Sequence, residues 1–245
     1  MTGIRGTAIE IPRTVLWRLH GVLGALLLVA SVPLSTARAE SATPWPDTAV
    51  SRVEALALMQ TLNAEILASR SATFTLEKWC GDHRLSGAAE PKIVARLIRE
   101  VDKPATPEQR QRLEAAPSEE IKFRHVELLC GERVFSEADN WYVPARLTAE
   151  MNRLLETTST PFGKAVQDLQ PYRRTFAATV LWSPLPEGWE TRPLAAAPQD
   201  TAKPLAIPDA LFEHRAVLYT KDSKPFSEVD EVYRRALLDF TPPSP

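Results

Sequence analysis

The chain carries FSEADNWY at residues 135–142 and FSEVDEVY at 226–233. The likeness extends outward from these eight letters. RHVELLCGERVFSEADNWYVPARL and HRAVLYTKDSKPFSEVDEVYRRALL both run basic pair, apolar stretch, polar turn and Phe-Ser-Glu. Apolar runs on either side of a turn predict two β-hairpins, and the echo predicts that both pack into one sheet. Because side chains alternate along a strand, Ser136, Ala138, Asn140 and Tyr142 share one face of the first hairpin. Ser227, Val229, Glu231 and Tyr233 take the matching face of the second, with Phe135 and Phe226 opposite. Val229, Val232, Tyr233, Ala236, Leu237 and Phe240 also fit helical spacing. The echo decides for a strand.

Outside the hairpins, residues 51–69 have helical spacing with one wide apolar face, and SATFTLEKW reads as a strand from its threonines and aromatics. KIVARLIRE fits either class. The polar stretch 102–120, with three prolines, reads as a connection with one helical turn. LTAEMNRLLE predicts a short helix capped by Thr148. A second helix start is predicted at Thr160, with Pro161 in the first helical position. RRTFAATVLW is a strand, and 183–210, with six prolines, a long loop.

The N-terminus reads as an export signal. Arg5, Arg13 and Arg18 precede an apolar run from Gly21 to Val32, and Ala37-Arg38-Ala39 is a small-x-small cleavage pattern. Twelve residues span about 18 Å as a helix, short of the roughly 30 Å hydrocarbon core. Residues 1–39 are therefore expected to be a cleaved signal peptide, and 40–245 one soluble domain in the periplasm or outside the cell, with no membrane contact after cleavage. Cleavage would remove four arginines and one glutamate, leaving 25 basic against 30 acidic side chains. No basic stripe remains, which argues against a nucleic-acid partner. Cys80 and Cys130, the two cysteines, most simply form a disulfide in such a compartment. Buried thiols or a reactive thiol are the alternatives. Each cysteine ends a β-like run, so the bond would join two strand ends.

Few residues announce chemistry. His83, His125 and His214 are scattered, and no metal-ligand pair, phosphate loop or Ser/His/Asp spacing occurs; no metal or cofactor is expected. Glu231 stands between Val229 and Tyr233. If its face is covered, burial raises its pKa and suits it to proton transfer; if open, it is a solvated acid paired with Arg234 or Arg235. His125 shares a strand face with Phe123, Glu127 and Leu129, as a structural residue or as a ligand contact, and Arg124 points the other way.

The order of RHVELLCGERV, SEADNWYVPARL, ETTSTPFG and HRAVLYTKDSKPFSEVDEVY resembles the chorismate lyase family and the related ligand-binding domains of some bacterial transcription regulators. The likeness covers 121–240 well and 60–100 loosely. It implies an α+β fold, a single domain with an antiparallel sheet, helices packed on one side, and an enclosed pocket for a small ligand. It also implies cofactor-free elimination of pyruvate from chorismate, giving 4-hydroxybenzoate. The family's ligand-contacting glutamate falls on Glu231, the expected catalytic residue. Its apolar contact falls on Phe162, beside Gly163, and Asn140 faces the same region. The carboxylate-binding arginine falls on His125, with Arg124 one residue away. The expected partner is a small aromatic or enolpyruvyl carboxylate. A non-catalytic binding domain and an envelope interaction protein are the alternatives.

Overall fold

The two echo segments lie side by side. The computed structural model describes residues 45–193 and 200–240, all within one compact unit; the expected signal peptide and cleavage site lie outside them. Strand β1 (Pro46–Asp47) leads into α1 (Ala49–Ala68) and α2 (Ala72–Asp82). Then come β2 (Ile93–Ile98), α3 (Pro107–Arg112), β3 (Lys122–Cys130) and β4 (Arg133–Tyr142). The chain continues through α4 (Ala149–Thr157), α5 (Phe162–Ala165), β5 (Tyr172–Val180) and β6 (Asp200–Pro204). It closes with β7 (Ala210–Tyr219) and β8 (Pro225–Arg234). Six strands form one antiparallel sheet in the order β2-β3-β4-β8-β7-β5, and β1 pairs with β6 separately. This is the α+β fold expected, a single domain.

The pairing of β4 with β8 has a local two-fold character. Ser136 pairs with Tyr233, Ala138 with Glu231, Asn140 with Val229 and Tyr142 with Ser227. The pseudo-dyad passes between Asp139 and Asp230, the fifth letter of each copy. The shared Phe-Ser marks a β-bulge in each hairpin. Leu128 pairs with Ser136 but Leu129 with Val134, leaving Phe135 as an extra residue. Leu218 pairs with Ser227 but Tyr219 with Pro225, leaving Phe226 as another. An extra residue breaks alternation. Phe135 and Phe226 are therefore both fully buried rather than opposite the serine face. Phe135 enters the main core, and Phe226 stacks on Phe162 with ring centroids 6.2 Å apart.

The main helices cover one face of the sheet. Ala55, Met59, Leu62 and Ile66 of α1 meet Ala138, Ala216, Val229 and Tyr233 in one core. Leu155 of α4 and Ala165 of α5 pack with Tyr142 and Phe226. The short α3, capped by Thr106 in a capping box, lies toward the other face, where Leu113 packs on Trp141 and Val217. Among the described residues no helix is long and apolar enough to cross a membrane.

Several local expectations need correction. SATFTLEKW is not a strand but most of α2. Ala72, Leu76, Trp79 and Cys80 are buried at helical spacing, and Trp79 Nε1 donates to Leu237 O at 2.9 Å. Tertiary burial outweighs the modest β preference of its threonines. Cys80 thus ends a helix, and its disulfide to Cys130 joins α2 to the end of β3 rather than two strand ends. Thr160 is not a helix cap, because Pro161 is the cap residue of α5 and Thr158 Oγ1 accepts the Thr160 N–H at 3.1 Å. The proline-rich stretch is not all loop, since it contains β6. The ambiguous 92–100 segment supplies β2. Residues 228–240 are strand to Arg234 and a 3-10 turn over Arg235–Leu238. Thr148 caps α4 as expected, accepting from Met151 N.

The pseudo-dyad sets two acids against each other. Asp139 is answered by Lys103 and by His125, whereas Arg215 Nε stands 3.6 Å from Asp230. Burial, then the charge of Glu213, pushes Asp230 up from 3.8 to about 6. The folded protein therefore holds this proton more tightly than the unfolded chain, and ionising Asp230 costs stability as pH rises from about 4 past 6. Asp230→Asn is expected to stabilise the protein by about 1–2 kcal/mol at pH 7.5, allowing for solvent screening. The gain should fade toward pH 4 in urea unfolding curves.

Candidate functional site

The inward face set by the bulges gathers polar groups beneath α1 and α2. Glu231 is 7% exposed. Its Oε2 accepts from Arg173 Nη1 at 2.9 Å and from the Tyr233 hydroxyl at 3.0 Å. Tyr233 is fully buried, and burial followed by the Glu231 charge holds its hydroxyl well above the usual range. Arg173 comes from β5. Burial, the largest influence, lowers its pKa, but the charges and hydrogen bonds of Glu231 and Tyr233 together more than offset that and leave it raised. His214 on β7 pairs in register with Glu231 and donates from Nε2 to Asn63 Oδ1 at 2.7 Å. Burial, then the Arg173 charge, lowers His214 to about 4, so the ring is neutral near pH 7.

Of these groups Glu231 and Arg173 border a cavity of about 40 Å³, lined also by Asn140, Phe162 and the first residues of α2. That space takes a few water molecules; drug-sized ligands need roughly 300–1,000 Å³. Two features of its wall favour an anion. Ser71, the cap residue of α2, makes no capping bond, and its buried Oγ has no partner among the described residues. The N–H groups at a helix start carry partial positive charge. Arg173, whose side chain is 4% exposed, has Nε and Nη2 without hydrogen-bond partners among the described residues. That pair is the side-on fork with which a guanidinium grips a carboxylate. Gly163 lets the α5 segment close over this end. A Cβ there would lie 2.5 Å from Ser71 Oγ and 3.0 Å from Thr73 Oγ1.

The structure divides the residues singled out in the sequence. Glu231, Asn140, Phe162 and Gly163 meet at the cavity. His125 does not join them. Val126 and Leu128 belong to the main core, so the alternate residue His125 points to the other face. There its Nδ1 lies 2.6 Å from Asp139 Oδ1 and its Nε2 3.1 Å from Glu137 Oε1. Arg124 is inward but lines a separate groove with His125 and Tyr142. It is 3% exposed and donates from Nη2 to Thr160 O at 3.0 Å. Burial lowers its pKa to about 10.

Sequence reasoning missed Arg173, His214, Asn63 and the start of α2. The RR doublet that opens β5 was a usable signal for a buried arginine. The helix start was hidden by reading α2 as a strand. Chemically, the cavity wall holds the Glu231–Arg173 ion pair, with the buried Tyr233 phenol bonded behind it; His214 does not line the cavity. Glu231 is engaged at one oxygen, which suits it to orienting Arg173 more than to moving a proton. Among the described residues no group of three or more His, Cys, Asp or Glu side chains is placed to hold a metal ion.

No family model matches the chain. It is 50% identical over 216 residues to the uncharacterized protein y4mC of Sinorhizobium fredii (strain NBRC 101917 / NGR234), covering 88% of this chain and 90% of that one. The chain belongs to the y4mC family. Among solved structures, PhnF from Mycobacterium smegmatis is similar at TM-score 0.41 and 13% identity, over 70% of this chain and 66% of that one. The ligand-binding domain of a putative GntR-family transcriptional regulator from Bordetella bronchiseptica is similar at TM-score 0.36 and 16% identity, over 58% of this chain and 82% of that one. The possible transcriptional regulator YydK from Bacillus subtilis gives TM-score 0.36 and 13% identity over 62% of each chain. At these scores no functional argument rests on the likeness.

The Cys80–Cys130 bond, spanning 50 residues, ties down the helix whose start lines the cavity. Replacing both cysteines by alanine should lower stability by up to about 4 kcal/mol, read from urea unfolding of the double variant against the oxidised parent.

Proposed function

We propose that this y4mC-family protein is an exported, non-catalytic binding domain that seats a small organic carboxylate in the Glu231 cavity. The observation that carries the reading is Arg173. Its Nη1 is spent on Glu231, while its Nε and Nη2 are buried without a hydrogen-bond partner among the described residues, and the residue lines a cavity that the uncapped start of α2 also lines. A ligand carboxylate would take the free fork, its body lying against Phe162. Anything larger than a few waters requires the 70–73 and 161–163 segments to part. Export is supported by the basic and apolar pattern of residues 1–39 and by the disulfide.

The lyase reading drawn from the chorismate lyase resemblance asks more of Glu231. It would have to exchange a proton with substrate while bonded to both Arg173 and Tyr233. The pairing favours binding over turnover. Incubating the protein with chorismate separates the two, and the expected result is a rise in melting temperature without 4-hydroxybenzoate absorbance. A ligand at one hundred times its Kd stabilises by about 2.7 kcal/mol. Across a panel of aromatic and enolpyruvyl carboxylates, Arg173→Met should remove most of that gain, and Glu231→Gln should weaken it. A panel that leaves melting unchanged, or an Arg173→Met protein that binds as well as the parent, would defeat the binding reading; product formation would restore the enzyme.

A further inference from the structure

The second inward arginine points to a site of its own. β2 pairs with β3 only as far as Ile98 opposite His125, so β3 from Lys122 to Arg124 has β4 as its one partner. Where β2 stops, the segment after Ile98 diverges from the start of β3. Between them lies a groove of about 560 Å³, within the range of small-molecule sites. Leu97, Val101, Phe123 and Leu155 give it apolar walls, and Arg124 and Tyr142 close it inward.

Arg124 is unusual among the buried arginines described. Arg146 meets Glu119 and Arg173 meets Glu231. Arg124, although 3% exposed, meets a backbone carbonyl, and its Nε and Nη1 have no partner among the described residues. The other cations along the groove are engaged, Lys122 with the Glu156 carboxylate and Arg99 with the Glu156 carbonyl. A buried guanidinium without an acid is costly, and the groove offers the space from which an acid can reach it.

We propose that the groove is a second binding site, distinct from the Glu231 cavity, for an amphipathic monocarboxylate. Its carboxylate caps Arg124, and its apolar body lies along Leu97, Val101 and Phe123. This site is independent of the proposed cavity ligand, because Arg124 does not line that cavity. Asn140, its register partner on β4, does, which puts the two sites on neighbouring positions of one sheet face.

The test uses the full mature chain carrying Arg173→Met, with Glu231→Gln alongside so that no buried carboxylate is left unpaired; this background silences the cavity and is titrated with benzoate and hexanoate by calorimetry. One equivalent of each should bind. Adding Arg124→Met should weaken binding by tenfold or more, as expected of a lost charge-assisted hydrogen bond (about 1.4 kcal/mol per tenfold). Inorganic phosphate, which has no apolar body, should bind at least about tenfold more weakly than hexanoate. Arg124→Met should also raise the melting temperature of the unliganded protein, since it removes a buried unpartnered charge. Should that variant fail to fold, Val101→Trp keeps Arg124, fills the groove and should weaken hexanoate comparably. Failure of this background to bind either probe would overturn the assignment. So would binding that survives Arg124→Met or Val101→Trp within twofold, or phosphate matching hexanoate. If binding by the parent protein disappears in this background with Arg124 intact, the cavity stands and the groove falls.

Discussion

The antiparallel contact between β4 and β8 is the constraint on which the other features depend. It joins two hairpins at their inner strands, so that a six-stranded sheet is assembled from two similar halves with β2 and β5 added at the edges. Register in a half-buried sheet is fixed by which face must be covered. Here Ala138, Val229 and Tyr233 must meet α1, and a slip by one residue would put Glu137, Asp139 and Asp230 under the helices instead. The two bulges reinforce that choice. By taking Phe135 and Phe226 out of alternation, each adds a large aromatic side chain to the buried side without exposing the serine that follows. Burying such a ring is worth about 2–3 kcal/mol in transfer terms, so the doubled Phe-Ser-Glu is in large part a device for closing the core at both ends of one ladder.

The same constraint explains the uneven polarity of the two faces. Along the pseudo-dyad the copies agree at acidic positions that face away from α1, at Glu137 and Asp139 in β4 and Glu228 and Asp230 in β8. On that side each acid has a neighbouring base, as with Arg112 on Glu228 and Arg234 on Glu137. At the inward positions the copies share Ser and Tyr but differ at Ala138 against Val229 and at Asn140 against Glu231. Divergence at the covered face gives one half of the sheet an acid that must be neutralised from inside. Arg173 on the edge strand supplies the answering charge across β7. The ion pair is therefore assembled from residues 58 apart in sequence, and the hairpin letters alone do not announce it.

How legible this was depends on what each residue's neighbours were. Glu231 could be placed on the face of Val229 and Tyr233 because strand alternation is strict between bulges, but the strand alone left open whether that face is covered, which α1 decides. Thr148 could be named a cap because capping is decided within four residues. The β3–β4 and β7–β8 hairpins were readable for the same reason. Phe135 and Phe226 were misplaced because a bulge leaves no local signature beyond the phenylalanines themselves. SATFTLEKW failed differently. Its threonines and aromatics favour a strand weakly, and the burial of Leu76 and Trp79 against distant Leu237 decides for a helix. That one error hid the α2 start, and with it the part of the cavity wall most suited to an anion. For His125, the position suggested by family resemblance and the position required by alternation disagreed, and the geometry follows alternation.

Two buried arginines on one sheet face, only one of them paired with an acid, give the molecule an electrostatic asymmetry that the core alone would not select. A Leu or Met at position 124 would fill similar space beside Tyr142 and Leu155 without the desolvation cost of a guanidinium. Arg173 has no such freedom, because removing it would strand Glu231 beneath α1. Stability therefore accounts for Arg173 in part and for Arg124 only through its single bond to Thr160 O. An interior cation whose charge no acid of the fold answers is the kind of residue explained by what it meets outside the chain.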